Sequence, residues 1–183
     1  MATASILGPA KLRSIATLAR DVDARGVPGH VAEVGVYRGG ILRELAHVFP
    51  ARTVYGFDTF AGLPVEHDSP GWEICQPGMF DEVRFDDVRA SLRDCPNVEL
   101  VRGLFPDTGA AIDGRFAFVH LDVDFYLATL RALEFLVPRM SRRGTIVLDD
   151  WGFARCPGVR RAVDELKLPA IETTTFQAMI RFD

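Results

Sequence analysis

Two pairs of aspartates directly follow apolar runs whose composition is typical of buried strands. Asp122 and Asp124 follow one run, and Asp149 and Asp150 follow the next. The carboxyl ends of parallel strands meet at one edge of a sheet, where neighbouring strands lie about 4.8 Å apart. Carboxylates this close repel one another unless a cation neutralises them. Because oxygen ligands suit Mg²⁺ or Ca²⁺, we expect a divalent-ion site here. The alternative is that Asp149 and Asp150 only cap the turn after their strand.

A glycine-rich turn follows the first predicted strand. Glu33 and Gly35 lead into Gly39 and Gly40, where a helix is predicted to begin. Glycine lets the backbone approach a ligand closely, and the first amides of the helix point into the same crevice. Val36 stands where a dinucleotide fingerprint has its second glycine, and Glu33 would repel a phosphate. The turn therefore favours a cationic or amino-bearing ligand, with a purely structural turn as the alternative.

Another acidic residue, Asp58, follows the second predicted strand, 23 positions beyond Gly35. An acidic residue at about this spacing commonly accepts hydrogen bonds from ribose hydroxyls. We interpret Asp58 as nucleoside-binding; the alternative is a turn aspartate that accepts hydrogen bonds from local amides. His120 lies inside an apolar run, so we expect a hydrogen-bonded core histidine rather than a ligand or base.

Composition and charge exclude several classes of function. The chain has 183 residues, of which 48% are hydrophobic and 25% charged, with a net charge of −4. This balance predicts a globular protein without a basic field for nucleic acid, and no apolar run approaches a membrane span. Three scattered cysteines and an N-terminus without a secretory pattern lead us to expect a reducing, cytoplasmic location.

The elements that position these residues alternate along the chain. Helical spacing predicts helices over 9–25, 39–49, 81–94, 125–140 and 158–168, with a short one over 106–112. Apolar runs predict strands over 31–34, 53–57, 98–101, 116–121 and 145–148, and a strand or hairpin over 171–182. The alternation predicts an α/β fold, a mostly parallel, doubly wound sheet in a single domain over 1–183. Residues 1–28 would carry the N-terminal helix, and the Gly/Pro-rich stretch 59–80 a lid or substrate loop.

Six motifs occur in an order that resembles a known family. They are Glu33–Gly40, Phe57–Pro64, Pro77–Phe80, Gly103–Thr108, Leu121–Tyr126 and Gly144–Gly152. Together they resemble the macrocin O-methyltransferase family, metal-dependent enzymes that methylate sugar hydroxyls in antibiotic biosynthesis. The resemblance covers almost the whole chain from Val31 onward. It implies a Rossmann-like class I methyltransferase fold, with S-adenosylmethionine as the methyl donor.

The resemblance also implies roles for individual residues. The donor would be held by Glu33, Gly35, Tyr37, Gly39, Asp58, Thr59, Phe60 and Asp122. The Mg²⁺ ligands would be Asp122, Asp149 and Asp150, and the general base would be Asp124. The acceptor would be a hydroxylated small molecule, such as a sugar or polyketide, and the family association suggests a homodimer or a larger oligomer.

Other functions stay open at this point. The sequence Asp122-Val123-Asp124 imitates the nucleophile motif of aspartyl-phosphate Mg²⁺ phosphatases, although those enzymes place it near the chain start. A non-catalytic accessory protein with the methyltransferase fold is another possibility, and the clustered aspartates argue against it. A nicotinamide oxidoreductase is disfavoured by the missing second glycine.

Overall fold

A computed structural model describes residues 7–64, 76–154 and 156–183 of the chain. Its strands are β1 His30–Val34, β2 Val54–Asp58, β3 Val98–Arg102, β4 Phe116–Leu121, β5 Met140–Asp149, β6 Ile171–Thr174 and β7 Gln177–Arg181. They form one sheet of order β3-β2-β1-β4-β5-β7-β6. Strands β1 to β5 are parallel, whereas β7 runs antiparallel to both β5 and β6. The mostly parallel sheet is confirmed, and the strand-like tail is a hairpin.

The helices are shorter than the sequence pattern predicts. They are α1 Pro9–Ala24, α2 Gly40–Val48, α3 Phe85–Ser91, α4 Tyr126–Leu136 and α5 Gly158–Glu165, with 3₁₀ turns at Asp107–Ala111 and Val137–Arg139. The fourth helix ends before Pro138, which lacks the N–H that would continue it. In the described part of the chain, no helix combines the length and apolar character that crossing a membrane requires.

Helices cover both faces of the sheet, as in a doubly wound α/β fold. On one face, Ile15 of α1 and Leu42 of α2 pack with Val31 and Phe118 of the central strands. On the other face, Leu133 of α4 packs with Ile146 and Leu148, and Val159 and Val163 of α5 join the same cluster. Both clusters consist of fully or almost fully buried side chains, so the sheet is a rigid layer between two apolar cores.

Buried polar side chains concentrate on the face that α1 covers. Side chains alternate along a strand, and Val147 packs in the cluster that contains α1. Asp149 follows it by two positions and therefore lies on the same face. His120 is paired with Val147 in register, and Glu33 is paired with His120. Glu33, His120 and Asp149 therefore form a row of polar side chains across β1, β4 and β5 on this face. The row ends at the carboxyl edge of the sheet.

Candidate functional site

A cavity of about 280 Å³ opens at the carboxyl ends of the central strands. The strand order reverses there between β1 and β4, which is where ligands bind in open α/β sheets. The predicted site residues that line it are Gly35, Tyr37, Asp58, Thr59, Asp122, Asp124, Asp149 and Asp150. Glu33, Gly39 and Phe60 do not line the cavity. The structure thus brings most of the predicted residues together.

Asp58 organises two of the loops that form the cavity. One carboxylate oxygen accepts hydrogen bonds from the backbone N–H groups of Val36 and Tyr37, at 2.8 and 2.9 Å. The other oxygen accepts one from the N–H of Phe60, at 2.7 Å. Asp58 therefore accepts hydrogen bonds from local amides, which was the alternative to nucleoside binding in the sequence analysis. A carboxylate has about four acceptor positions, so these bonds leave capacity for a ligand hydroxyl.

Gly35 is required by a close approach between two strand ends. Its φ is +91°, and a Cβ at this position would lie 1.8 Å from the carbonyl oxygen of Asp122. The turn after β1 therefore packs directly against the residue that follows β4. Tyr37, Asp124 and Asp150 also have positive φ values, of 49°, 62° and 52°. Left-handed backbone at non-glycine residues is uncommon and clusters at functional sites.

Glu33 is held inside the sheet by the histidine of the adjacent strand. Its Oε1 lies 3.2 Å from Nδ1 of His120, and both side chains are buried. Burial raises the pKa of Glu33, and the hydrogen bond from His120 offsets only part of this effect. His120 is a hydrogen-bonded core histidine, as expected. Among the described residues, Oε2 of Glu33 and Nε2 of His120 have no hydrogen-bond partner.

Gly39 and Phe60 have visible structural roles. Gly39 precedes α2 with a φ of +79°, and a Cβ there would lie 3.1 Å from Leu92. Phe60 is buried and meets the ring of Phe85 edge-on, with the ring centroids 5.1 Å apart. These contacts pack the segments next to the cavity against the core. Direct binding of the donor by Gly39 or Phe60 stays a prediction.

The four aspartates of the two strand ends form one electrostatic unit. Asp149 is 2% exposed, whereas the others are half-buried. The pKa of Asp122 is raised well above its usual value, first by burial and then by the charges of Asp149, Asp124 and Asp150. Burial also raises the pKa of Asp149. Buried carboxylates that repel one another favour a cation among them.

The tightest ligand group differs from the predicted metal set. In the described residues, the metal-ligating side chains that all come within 4.8 Å of one another are Asp124, Asp150 and Cys156. Asp150 is common to both sets, Asp124 was expected only as a base, and Cys156 was not expected near the site. The set Asp122, Asp149 and Asp150 stays a prediction. Its chemistry fits a hard cation, because it offers only carboxylate oxygens, and burial raises the pKa of both Asp122 and Asp149 when no cation compensates them.

Sequence reasoning missed Lys11, which lies in the first turn of α1. Its ammonium group is 2.9 Å from the Asp149 carboxylate and 3.3 Å from that of Asp150. Nothing in the spacing of a helical lysine reveals a partner 138 positions away. Gly103, Leu104 and Phe105 also line the cavity. They belong to a motif of the family resemblance and follow β3, so the strand-end argument could have found them.

Comparison with known proteins decides the family. A family model described as macrocin-O-methyltransferase (TylF) matches residues 1–176. The chain belongs to this family. A relative from Streptomyces olivaceus, 8-demethyl-8-(2,3-dimethoxy-alpha-L-rhamnosyl)-tetracenomycin-C 4'-O-methyltransferase, is 34% identical over 172 residues. The match covers 83% of this chain and 64% of the relative, so the chain spans slightly less than two thirds of the relative's length.

Solved structures agree on the class I methyltransferase fold of this macrocin O-methyltransferase family member. The O-methyltransferase NovP is 27% identical with a TM-score of 0.83, over 97% of this chain and 81% of NovP. An O-methyltransferase from Bacillus cereus in complex with SAH is 16% identical with a TM-score of 0.69, over 98% of this chain and 84% of that chain. The latter likeness shows the fold alone.

Proposed function

We propose that this chain transfers a methyl group from S-adenosylmethionine to a hydroxyl of a small-molecule natural product, with Mg²⁺ as the cofactor. The observation that carries the proposal is the meeting of both aspartate pairs at one cavity in a macrocin O-methyltransferase fold. The relative's name specifies O-methylation of a rhamnosyl-bearing polyketide, which supports a sugar or polyketide hydroxyl as acceptor. Family membership favours this reading over the phosphatase alternative.

The donor would lie against the turn after β1. Gly35 lines the cavity at this turn, and Asp58 accepts hydrogen bonds from the N–H groups of Tyr37 and Phe60. The carboxylate of Asp58 would accept hydrogen bonds from ribose hydroxyls. Gly103 and Phe105 would line the same part of the cavity. S-adenosylmethionine supplies a methyl group on a sulfonium, and SAH in the Bacillus cereus structure is the product of that transfer.

The acceptor hydroxyl would lie against the aspartates. Mg²⁺ held by Asp122, Asp149 and Asp150 would lower the pKa of the hydroxyl and fix its position. Asp124 would act as general base, because it lines the cavity on the loop that follows Asp122. Asp124 and Asp150 both have left-handed φ values, which are uncommon at non-glycine residues and cluster at functional sites. Much of the rate enhancement would come from positioning the oxygen in line with the methyl group.

The experiment that tests this function is a labelled methyl-transfer screen of hydroxylated glycosides and polyketides, run with Mg²⁺ and with chelator. We expect transfer that requires Mg²⁺. Asp149→Ala should abolish transfer while donor binding, measured by calorimetry with S-adenosylhomocysteine, is retained. Asp124→Asn should lower the turnover rate by about 10²-fold or more with little change in metal affinity.

Each part of the proposal has its own contrary result. Failure to bind S-adenosylhomocysteine at millimolar concentration would remove the methyltransferase assignment. Turnover that is insensitive to chelator would remove Mg²⁺ but leave methyl transfer. Unchanged turnover in Asp124→Asn would remove only the base. Glu172→Gln, in the outer strand β6, is the matched control because it removes an exposed carboxylate that does not line the cavity.

A further inference from the structure

Lys11 bridges Asp149, the last residue of β5, and Asp150, which follows it. Its ammonium lies 2.9 Å from the Asp149 carboxylate and 3.3 Å from that of Asp150, and the lysine side chain is 16% exposed. The helix that carries it is anchored to the sheet by Ile15 and Ala19, which are completely buried. The lysine that bridges the two carboxylates is therefore carried by a helix whose position is fixed by packing.

The identity of this cation is unusual for this chain. Of its 21 lysine and arginine residues, only Lys11 and Lys167 are lysines. A guanidinium is a planar fork that suits paired hydrogen bonds, whereas an ammonium is a compact point charge on a flexible stem. An ammonium can thus enter the space between two carboxylates that a small cation would take, and can leave it by rotating its side chain.

Electrostatics explains why a cation belongs there before any metal binds. Buried carboxylates are costly unless a positive charge compensates them. Burial lowers the pKa of Lys11, but the charges and hydrogen bonds of Asp149 and Asp150 outweigh this and raise it overall. The ammonium also favours the charged form of Asp122. Lys11 is the only basic residue among the described residues that line the cavity.

We propose that Lys11 is an internal counter-ion that holds the cation position between Asp149 and Asp150 and must leave it when Mg²⁺ binds. This inference rests on the proposed function, since it assigns Asp149 and Asp150 to the metal. It makes Lys11 a positioning residue that sets metal affinity by competition. If the ammonium leaves the site unoccupied only a tenth of the time, Mg²⁺ binds about tenfold more weakly than it would to a site without the ammonium.

The test compares Mg²⁺ binding by the wild-type chain, Lys11→Met and Lys167→Met, measured by calorimetry without donor or acceptor. Methionine has nearly the length of lysine and no charge, and Lys167 is the exposed control lysine after α5. We expect Lys11→Met to bind Mg²⁺ roughly tenfold more tightly or better. We expect it also to melt at a lower temperature in chelator and to regain stability with Mg²⁺. Lys167→Met should behave as the wild type in both measurements.

A spectroscopic measurement follows the ammonium itself. Reductive ¹³C-methylation labels Lys11, Lys167 and the chain N-terminus, and the Lys167→Met variant assigns the lysine signals. Addition of Mg²⁺ should shift the Lys11 resonance and leave the Lys167 resonance in place. A lysine with only a packing role would not respond in this way.

The outcomes separate this inference from the proposed function. If the wild type binds Mg²⁺ and Lys11→Met binds it no more tightly, the counter-ion role is wrong and the metal site stands. If only Lys11→Met binds Mg²⁺, the counter-ion role stands and the Mg²⁺ requirement of the natural chain is wrong. If neither protein binds Mg²⁺, both proposals are wrong.

Discussion

At the scale of single residues, Gly35 is the described glycine where an added Cβ would make the shortest contact. An added Cβ would lie 1.8 Å from the Asp122 carbonyl oxygen, which is backbone and cannot rotate away. We predict that Gly35→Ala lowers the free energy of unfolding by about 3 kcal/mol, because β1 and β4 must separate and the residue keeps a positive φ. Urea denaturation followed by circular dichroism measures the change.

Gly26→Ala is the matched control for this prediction. Gly26 also has a positive φ, of +62°, but a Cβ there would meet nothing within 4 Å. Its replacement should therefore cost only the backbone strain, about 1 kcal/mol. Equal losses in the two variants would show that steric contact with Asp122 adds nothing.

The Glu33–His120 pair makes stability depend on pH. Burial raises the pKa of Glu33 above its ordinary value of 4.5. A raised pKa means that the stability contributed by the protonated form is complete below 4.5 and is lost as the pH rises through the folded-state pKa. We predict that Glu33→Gln, which cannot ionise, gains stability relative to the wild type as the pH rises from 4.5 toward neutrality.

Urea denaturation at several pH values in chelator measures this difference. Glu172→Gln, in the exposed strand β6, provides the reference for loss of an exposed carboxylate. A stability difference between wild type and Glu33→Gln that stays constant over this pH range would contradict the prediction.

Whether the contacts of a residue could be predicted from the sequence depends on which element brings its partner close. Asp122 and Asp149 could be placed at one edge because each directly follows an apolar strand, and β4 and β5 are indeed neighbours. The partner of Glu33 could not be named, since it follows from the pairing of Glu33 with His120 in the sheet. Lys11 could not be found at all, because only the docking of α1 brings it to the aspartates.

At the scale of elements, Asn97 joins three segments at the end of the sheet opposite the cavity. Its side-chain N–H₂ group donates to the carbonyl oxygens of Ala46 and Phe49 at 3.1 Å and of Arg52 at 3.2 Å. The end of α2, the loop after it and the start of β3 are thereby held together. We predict that Asn97→Ala lowers the free energy of unfolding by about 2 kcal/mol, because carbonyl groups lose their donor.

Asn97→Ala should leave donor binding unchanged, because the cavity lies at the other end of these strands. Calorimetry with S-adenosylhomocysteine and a urea titration provide the two measurements. The exposed neighbour Arg93→Ala is the control for the loss of a polar side chain in this region. A large loss of donor affinity with little loss of stability would show that this end of the sheet serves the site.

Elements could be predicted where one physical signal dominates. Apolar runs placed β4 and β5 correctly, although β5 begins at Met140, since Ser141–Gly144 is too polar to read as a strand. The end of α4 was placed too late because its apolar pattern continues through Pro138. The antiparallel β7 could not be distinguished from a single tail strand, because the two-residue turn before it contains no glycine. The lid expected over 59–80 stays a prediction, since residues 65–75 lie outside the described part.

At the scale of the whole molecule, the distribution of charge selects among acceptors. The described residues that line the cavity include five carboxylates and one ammonium, namely Asp58, Asp122, Asp124, Asp149, Asp150 and Lys11. The net charge of the chain is also negative, at −4. Mg²⁺ and the sulfonium of the donor offset part of this charge, and the remaining field opposes a phosphate-bearing acceptor.

We predict that a sugar on a neutral aglycone is methylated with a kcat/KM at least roughly tenfold higher than the same sugar on a nucleoside diphosphate, because like charges raise the free energy of binding. Steady-state kinetics with the two acceptors at saturating donor and Mg²⁺ measures the ratio. Added salt should narrow the ratio, because it screens charges at the cavity mouth over about 10 Å at 0.1 M. A preference for the nucleotide-linked sugar would mean that cations outside the described lining outweigh the aspartates.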